Sequence, residues 1–256
     1  MKAGSKSIVP SVDKAIDIII LLSQKPSLTL KEVYEELQLP ASTCFNIMNT
    51  LQKRGFVEKD RFTSRFKLGL TLMKLGMQIY NDIDINKIAL PIMKELVSKF
   101  GETSYLSIID YSSYMGVVIE KIESQKTVTV IRSIGSKVPL YASATGKSLL
   151  SGLDNDELEK YFSKVKFERY TNKTITNKEK LMDELTEIRI NGFAKTENDM
   201  GDGVSAISAP IKDYQGKVVA AISVSGPSNR LEEQIPLIIP EVKKAAKKIS
   251  HKISIG

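Results

Sequence analysis

The chain has 256 residues, 42% hydrophobic and 26% charged, which allows one large or two modest globular domains, each with a buried core. It contains no run of about 18 apolar residues, and its polar N-terminus lacks the apolar region of a signal peptide. The single cysteine, Cys44, excludes an intramolecular disulfide. These features predict a cytoplasmic protein with no membrane partner.

The net charge of +7 is concentrated near the N-terminus. Residues 1–75 contain twelve Lys and Arg against seven Asp and Glu, whereas the rest of the chain contains 25 against 23. A locally basic domain suits DNA, because phosphate contacts supply much of the affinity for DNA. Charge alone leaves open a basic surface without a partner.

The first third of the chain predicts three short helices. Apolar residues at helical spacing follow Ser11, which stands where an N-cap is expected. Thr29 and Glu32 have the spacing of a capping box at the start of a second helix. A Leu-Pro turn then precedes a third helix, which ends at Gly55.

Two strands, residues 56–59 and 65–68, follow around a polar turn. Three helices and a basic hairpin describe a winged helix-turn-helix, whose second paired helix, here 41–53, lies in the major groove. Helical trios also occur in proteins that bind no DNA, so that alternative stays open. The expected DNA contacts are polar residues of this helix and basic residues of the hairpin: Ser42, Thr43, Asn46, Asn49, Lys53, Arg61, Arg65 and Lys67.

A further amphipathic helix at 69–80 and the polar segment 81–84 predict a connection between two domains. We therefore expect a winged helix-turn-helix domain over 8–69, a linker helix over 70–84 and a second domain over 85–256.

The second domain mixes helices with strands and has a hairpin turn at 213–216, which together predict an α+β domain with a largely antiparallel sheet. The predicted helices cover residues 88–100, 146–150, 156–162, 179–190 and 235–249. The predicted strands cover residues 103–109, 115–122, 127–131, 193–196, 206–211 and 218–224.

Ser223 and Ser225 alternate with Ile222 and Val224 in the last predicted strand. A strand places such alternating residues on opposite faces, so both hydroxyls share one face. Buried hydroxyls need hydrogen-bond partners, which makes the pair a candidate contact for a ligand carboxylate or hydroxyl. An exposed sheet face is the alternative.

Ala144 and Thr145 precede a predicted helix, and backbone N–H groups at such a position favour anions, although a simple helix start explains them as well. The following Gly-Lys-Ser is not a nucleotide-binding loop, because Tyr141 stands where that motif requires glycine.

An enzyme is the main rival class of protein. Nucleophilic Ser or Cys catalysis needs a histidine base, and the sequence holds only His251. Zinc sites need several Cys or His ligands. We therefore predict no catalytic residue, no metal and no cofactor. Carboxylate chemistry stays open, as does a ligand-binding module that has lost DNA binding.

Several segments in order together resemble the IclR family of bacterial regulators. They are residues 11–15, 39–43, 55–57, 66–69, 142–150, 203–210 and 223–227. The resemblance implies a winged helix, a linker helix and a C-terminal GAF-like effector-binding domain. It also implies a homodimer or homotetramer that binds double-stranded operator DNA. Effectors of such proteins are small organic acids or aromatic and sugar-derived metabolites.

The resemblance also directs attention to a set of effector contacts. Val130 and Val138 match apolar pocket positions, which core packing explains equally well, and Glu197 lies in an acidic stretch that is either a pocket mouth or a solvated loop. The full set is Val130, Val138, Ala144, Thr145, Glu197, Ala206, Ser223 and Ser225.

Two departures from the family pattern affect these expectations. Ala41 and Asn46 stand where relatives often carry basic residues, so phosphate contacts shift to Lys53 and the hairpin. Ala206 replaces a cysteine, which indicates a different or less polar ligand. The effector, the operator and the direction of regulation stay open.

Overall fold

A computed structural model describes residues 8–25, 27–82, 84–201 and 203–254, without the side chains of residues 79–84. Two compact units divide between residues 82 and 83. Within the described ranges, no helix is long and apolar enough to cross a membrane, and no group of three or more His, Cys, Asp or Glu side chains is placed to hold a metal.

The first unit is a helical trio followed by a two-stranded antiparallel hairpin and a fourth helix. Its elements are α1 (Pro10–Gln24), α2 (Leu30–Glu36), α3 (Ala41–Lys53), β1 (Val57–Lys59), β2 (Phe66–Leu68) and α4 (Leu70–Asp82). One core joins the trio to the hairpin and includes Ile18, Leu22, Val33, Met48, Val57 and Phe66. The predicted winged helix-turn-helix is confirmed.

Local capping decides where these helices begin and end. The Thr29 hydroxyl accepts a hydrogen bond from the Glu32 backbone N–H at 3.2 Å, and the Glu32 carboxylate accepts one from the Thr29 N–H at 2.6 Å, as the capping-box pattern predicts. The expected N-cap of α1, Ser11, was wrong. Val9 is the N-cap because Pro10 takes the first helical position, where its missing N–H is no loss.

The second unit is built on a six-stranded antiparallel sheet in the order β5-β4-β3-β8-β7-β6. Its strands are β3 (Thr103–Asp110), β4 (Met115–Ile122), β5 (Lys137–Pro139), β6 (Ala194–Glu197), β7 (Val204–Lys212) and β8 (Val218–Pro227). Its helices are α5 (Asp84–Phe100), α6 (Ala144–Leu150), α7 (Asn155–Lys164), α8 (Lys178–Asn191), α9 (Ser228–Leu231) and α10 (Ile235–Ile253), with a 3-10 turn at Glu232–Gln234.

Helices cover both faces of this sheet, and each face has its own apolar core. Ile222 and Val224 of β8 pack with α5 and α10, where Met93 and Val242 are fully buried. Ala221 belongs to the opposite core, which α6, α7 and α8 close. The alternation predicted for β8 therefore exists, and Ser223 and Ser225 face away from the α5–α10 core.

Two sequence-based expectations about backbone differ from the structure. Residues 127–131 are not a strand, because the outer edge of β4 is already paired with β5, a strand too short for its pattern to be recognised. β-branched composition favours extended backbone but supplies no strand to pair with. The segment 81–84, expected to be a polar connection, is also helical on both sides: α4 ends at Asp82 and α5 begins at Asp84. Ile83 lies outside the described residues.

Side chains hold the irregular segment 124–132 instead. Buried Glu102 accepts hydrogen bonds from the Arg230 guanidinium at 2.8 and 3.0 Å, and Lys126 Nζ lies 2.9 Å from it. Burial by itself raises the pKa of Glu102, but the bonds from Arg230 and Lys126 outweigh burial and lower it. Arg230 also donates to the Val128 carbonyl at 2.7 Å, so one buried carboxylate anchors this segment beside the sheet.

Candidate functional site

Helix α3 separates a buried face from a polar one. Cys44, Met48 and Leu51 pack into the core. Ser42, Asn46, Asn49 and Lys53 are exposed and Thr43 is half-buried. The helix contains no acidic residue. Small groups that both donate and accept hydrogen bonds thus cover most of its outer surface, beside the exposed Phe45 ring and with one positive charge at its C-terminal end.

The turn between β1 and β2 is held by Asp60. Its carboxylate accepts hydrogen bonds from the backbone N–H groups of Thr63 at 2.7 Å and Phe62 at 3.0 Å, and from the Thr63 hydroxyl at 2.9 Å. These bonds, those of Thr63 first, lower the pKa of Asp60. Arg61 is exposed at this turn, where it can meet a phosphate.

The two basic residues of β2 differ in how far they are engaged within the unit. Arg65 Nε donates to Ser27 Oγ at 3.2 Å, and Arg65 Nη2 lies 2.9 Å from a Glu32 carboxylate oxygen. Lys67 Nζ lies 3.5 Å from Glu58 across the hairpin and stays exposed. Arg65 therefore ties the hairpin to α2, which the pattern of basic residues did not reveal.

A cavity lies on the sheet face opposite the α5–α10 core. Cross-strand neighbours meet there: Thr196 pairs with Ala206, Ala206 with Ser225, and Ser223 with Tyr105. The lining residues are Tyr105, Ser107, Val118, Arg132, Val138, Ser143, Ala144, Thr145, Thr196, Met200, Val204, Ala206, Ser223 and Ser225.

Hydroxyl groups converge on the floor of this cavity. Thr145 Oγ1 donates to Ser223 Oγ at 3.1 Å, and Ser223 is only 1% exposed. Ser225 Oγ reaches the Ser205 carbonyl at a long 3.4 Å. Among the described residues the Ser223 hydroxyl proton has no acceptor, so a ligand oxygen at this point completes its hydrogen bonding.

Arg132 adds a positive charge to the lining of this cavity. Arg132 is half-buried, and burial lowers its pKa. The Arg132 backbone N–H donates to Tyr105 Oη at 3.0 Å, and Tyr105 Oη donates to the Val130 carbonyl at 2.6 Å. Arg132 Nη2 lies 3.7 Å from the Met200 sulfur. No ion pair within the described ranges reaches Arg132. A partly desolvated guanidinium without an anion is unfavourable, so the cavity favours an anionic ligand.

The cavity is small. Its volume is about 40 Å³. A groove of about 890 Å³ also lies between α8, α10 and the β7–β8 hairpin. That groove is larger, but Lys243 and Lys247 on its rim are exposed side chains and no buried hydroxyl pair faces it. Convergent buried polar groups mark a ligand site better than volume does, which favours the smaller cavity.

Comparison with known proteins shows which family the two units belong to. Residues 77–251 match the model for the bacterial transcriptional regulator IclR C-terminal domain, and residues 11–61 match the IclR helix-turn-helix domain. The chain belongs to the IclR family. The HTH-type transcriptional regulator KipR of Bacillus subtilis strain 168 is 33% identical over 254 residues, which span 99% of each chain.

Two other IclR-family proteins are similar to this chain. The transcriptional repressor IclR of Escherichia coli K12 is 26% identical over 225 residues, covering 88% of this chain and 82% of the repressor. An IclR homolog from Microbacterium hydrocarbonoxydans, crystallised with 4-hydroxybenzoate, shares the fold with a TM-score of 0.83 at 19% identity, over 95% of this chain and 98% of its own. This chain is thus an IclR-family transcriptional regulator with a DNA-binding and an effector-binding domain, and its named relatives are regulators.

The structure brings together six of the eight predicted effector contacts of this IclR-family chain. Val130 and Glu197 lie outside the cavity lining. Val130 presents its carbonyl to Tyr105. Glu197 points to the other side of β6 from Thr196 and pairs with Lys195 at 2.8 Å, which lowers the pKa of Glu197. The six that line the cavity are Val138, Ala144, Thr145, Ala206, Ser223 and Ser225.

Sequence reasoning missed several lining residues. Tyr105 and Ser107 alternate with core-facing Leu106 in β3, the same period-two signal that identified the β8 serines. Arg132 and Met200 lie in irregular segments, where no periodicity assigns a side chain to a face. Their place in an IclR-family cavity emerges only from the tertiary structure.

The different partners of the two hairpin arginines lead to a prediction. Arg65→Gln removes the bonds to Ser27 and Glu32 and lowers the melting temperature of the first unit, while the salt dependence of DNA binding changes little. Arg61→Gln has the opposite effect: melting is unchanged and the slope of log K against log salt falls by about one. Calorimetry and fluorescence anisotropy at several salt concentrations measure both. Equal slopes for the two variants would contradict this assignment.

Proposed function

We propose that this regulator binds palindromic operator DNA as a homodimer or homotetramer in the cytoplasm, and that a small carboxylate in the Arg132 cavity controls its affinity for that DNA. Repression is the proposed mode, because a relative, the transcriptional repressor IclR of Escherichia coli, acts in this way by its name. A protein bound at a promoter represses by blocking access of the polymerase. The observation that carries the effector class is Arg132, which lines the same cavity as the buried Ser223 and Ser225 and has no ion-pair partner among the described residues. No catalytic step is proposed.

The polar face of α3 supports the proposal for DNA. Asn46 and Asn49 lie three residues apart on the exposed face, and an Asn side chain recognises adenine through N6 and N7. Ser42 and Thr43 near the N-terminus of α3 suit bases or phosphates. Lys53 supplies a phosphate contact at the other end, and Arg61 and Lys67 add phosphate contacts from the hairpin.

The volume of the cavity limits the size of the effector. A volume of 40 Å³ holds about three waters, since each needs roughly 10–15 Å³. A carboxylic acid of a few heavy atoms fits without rearrangement. Its carboxylate meets Arg132, and its far oxygen meets the Ser223 hydroxyl. A larger aromatic acid requires Met200 to move.

Control of DNA binding needs a coupling between the two sites. Two chains present two copies of α3 to successive half-sites, and the effector favours one arrangement of the pair. Linkage then requires that operator DNA change the affinity for the effector by the same factor as the effector changes the affinity for DNA.

The experiment that tests this function uses the full chain and labelled duplex DNA from upstream of its own gene. Fluorescence anisotropy at two salt concentrations with nonspecific competitor measures sequence-specific binding. Acetate, pyruvate and succinate are then titrated, with acetamide as the uncharged match for acetate. We expect one of the carboxylates, and not the amide, to change the DNA affinity. Binding equal to that of random DNA, or equal responses to acetate and acetamide, would contradict the proposal.

A further inference from the structure

Phe62 stands out on the surface of the DNA-binding unit. Its side chain is 98% exposed, more than any other large hydrophobic residue in the part of the chain that the structure describes. It occupies the tip of the turn between β1 and β2. An aromatic ring in water is unfavourable, and nothing in the fold of this unit requires one at that position.

The turn is well ordered by its own hydrogen bonds, so the exposure does not come from a loose loop. Besides the bonds to the Asp60 carboxylate, the Asp60 N–H donates to the Arg65 carbonyl at 2.8 Å and the Ser64 N–H to the Asp60 carbonyl at 3.0 Å. A polar residue at position 62 keeps all of these bonds, since Phe62 contributes only its backbone N–H.

The base of the hairpin is fixed as well. Leu28 and Phe66 exchange two backbone hydrogen bonds at 3.0 and 2.6 Å, and Arg65 pairs with Glu32. The ring therefore projects from a hairpin that is fixed by hydrogen bonds both in its turn and at its base. Such a support lets an apolar side chain enter a partner without first paying for the ordering of its own loop.

We propose that Phe62 enters the minor groove of operator DNA beside the half-site read by α3 and partly unstacks a base step. Proteins that bend DNA insert apolar wedges, including Phe, between base steps of the minor groove. The hairpin follows α3 directly in the chain, and its exposed Arg61 directly precedes Phe62, where it can meet a phosphate. Exposed Lys59 lies further down the same hairpin, with its Nζ 5.5 Å from the centre of the Phe66 ring. These cations favour DNA over an apolar protein surface as the partner.

The inference rests on the DNA-binding function and adds a sequence preference to it. Pyrimidine–purine steps such as TA and CA unstack most easily. We therefore expect such a step at the flanking position that Phe62 reaches, where no hydrogen bond from α3 reads a base.

The test uses the full chain and a duplex that it selects from a random pool, with 2-aminopurine placed at the flanking steps. Phe62→Ala weakens binding roughly 5- to 150-fold, the range for loss of one base–aromatic contact. It leaves the salt slope unchanged and abolishes both the 2-aminopurine enhancement and the DNA bend. Phe62→Leu retains a wedge and most of both signals. Tyr214→Ala, which removes another exposed aromatic ring from a hairpin tip in the second unit, leaves all of them unchanged.

Melting and sedimentation of each variant accompany the binding data, and Phe62→Ala melts like the parent because its side chain is exposed. Parental affinity and 2-aminopurine signal in Phe62→Ala overturn the inference and leave the DNA-binding function standing. A change of oligomeric state in Phe62→Ala places the ring against a second protein chain and also overturns it. Failure of the parent to select any duplex removes the DNA-binding function and this inference together.

Discussion

Arg132→Gln is expected to weaken the effector's affinity roughly 30- to 5,000-fold, the equivalent of about 2–5 kcal/mol for truncating one side of a partly buried charge pair. The reason is that the guanidinium has no anionic partner among the described residues, so a ligand carboxylate supplies one. Isothermal titration with the carboxylate that alters DNA binding measures the change. DNA affinity in the absence of effector stays at the parental value.

Two further variants sharpen this result. Arg132→Lys keeps the charge but loses the two-pronged geometry, so it falls between the parent and the glutamine variant. Arg169→Gln removes an exposed arginine of the same unit and leaves effector affinity unchanged. Equal affinities in the parent and Arg132→Gln would contradict a carboxylate at this position, and would turn attention to the basic groove beside α10.

Lys147→Ala is expected to destabilise the second unit by about 3–5 kcal/mol, because it leaves the buried Asp199 and the half-buried Glu184 without their cation. Lys147 is 1% exposed, and its Nζ lies 2.9 Å from Glu184 and 2.8 Å from Asp199. Burial raises the pKa of Glu184, and the Lys147 ammonium opposes this rise. The attraction between Lys147 and Glu184 therefore offsets only part of the cost of removing the carboxylate from water. For a unit of this size the loss corresponds to a fall of roughly 6–20 °C in melting temperature.

The matched control removes the charges together. A triple variant, Lys147→Met with Glu184→Gln and Asp199→Asn, is expected to recover part of the lost stability, because no unpaired charge is left in the interior. Differential scanning calorimetry of the full chain follows the transition of the second unit in each variant. A loss below about 1 kcal/mol in Lys147→Ala would show that the carboxylates find water or protons instead.

The same ion triad adjoins the cavity proposed for the effector. Asp199 adjoins Met200, which lines the cavity, and its carboxylate also accepts a hydrogen bond from the Glu197 N–H at 2.9 Å. Its backbone carbonyl accepts one from Thr174 at 2.6 Å. The wall that a larger ligand must displace is thus fastened by a buried lysine on α6.

Short-range patterns were sufficient to predict much of the fold. The Thr29–Glu32 capping box and the period-two alternation of β8 depend on neighbours within a few residues, and both are confirmed. Residues 127–131 have strand composition, yet pairing depends on which edge is free, and that edge belongs to β5. Strand formation requires two segments that pair, so the composition of one segment does not predict it.

The candidate sites show the same division. Ser223 was found because its strand repeats every two residues, whereas Arg132 stands in a segment without repeats that Tyr105 and Arg230 fasten from other strands and helices. Arg65 looked like a phosphate contact because it is basic and lies on the hairpin. Its bond to Glu32 joins residues 33 positions apart, which no local pattern reports.

The two faces of β8 separate the cavity proposed for the effector from the α5–α10 core. Ile222 and Val224 pack on one side while Ser223 and Ser225 line the cavity on the other, and the same holds for Leu106 and its neighbours Tyr105 and Ser107 in β3. Substitutions at the odd-numbered positions of these strands can therefore alter ligand preference without opening voids in the α5–α10 core. A lineage built on this sheet can diverge toward new metabolites one residue at a time, while a single-residue insertion in either strand exchanges the two faces and is lost to selection.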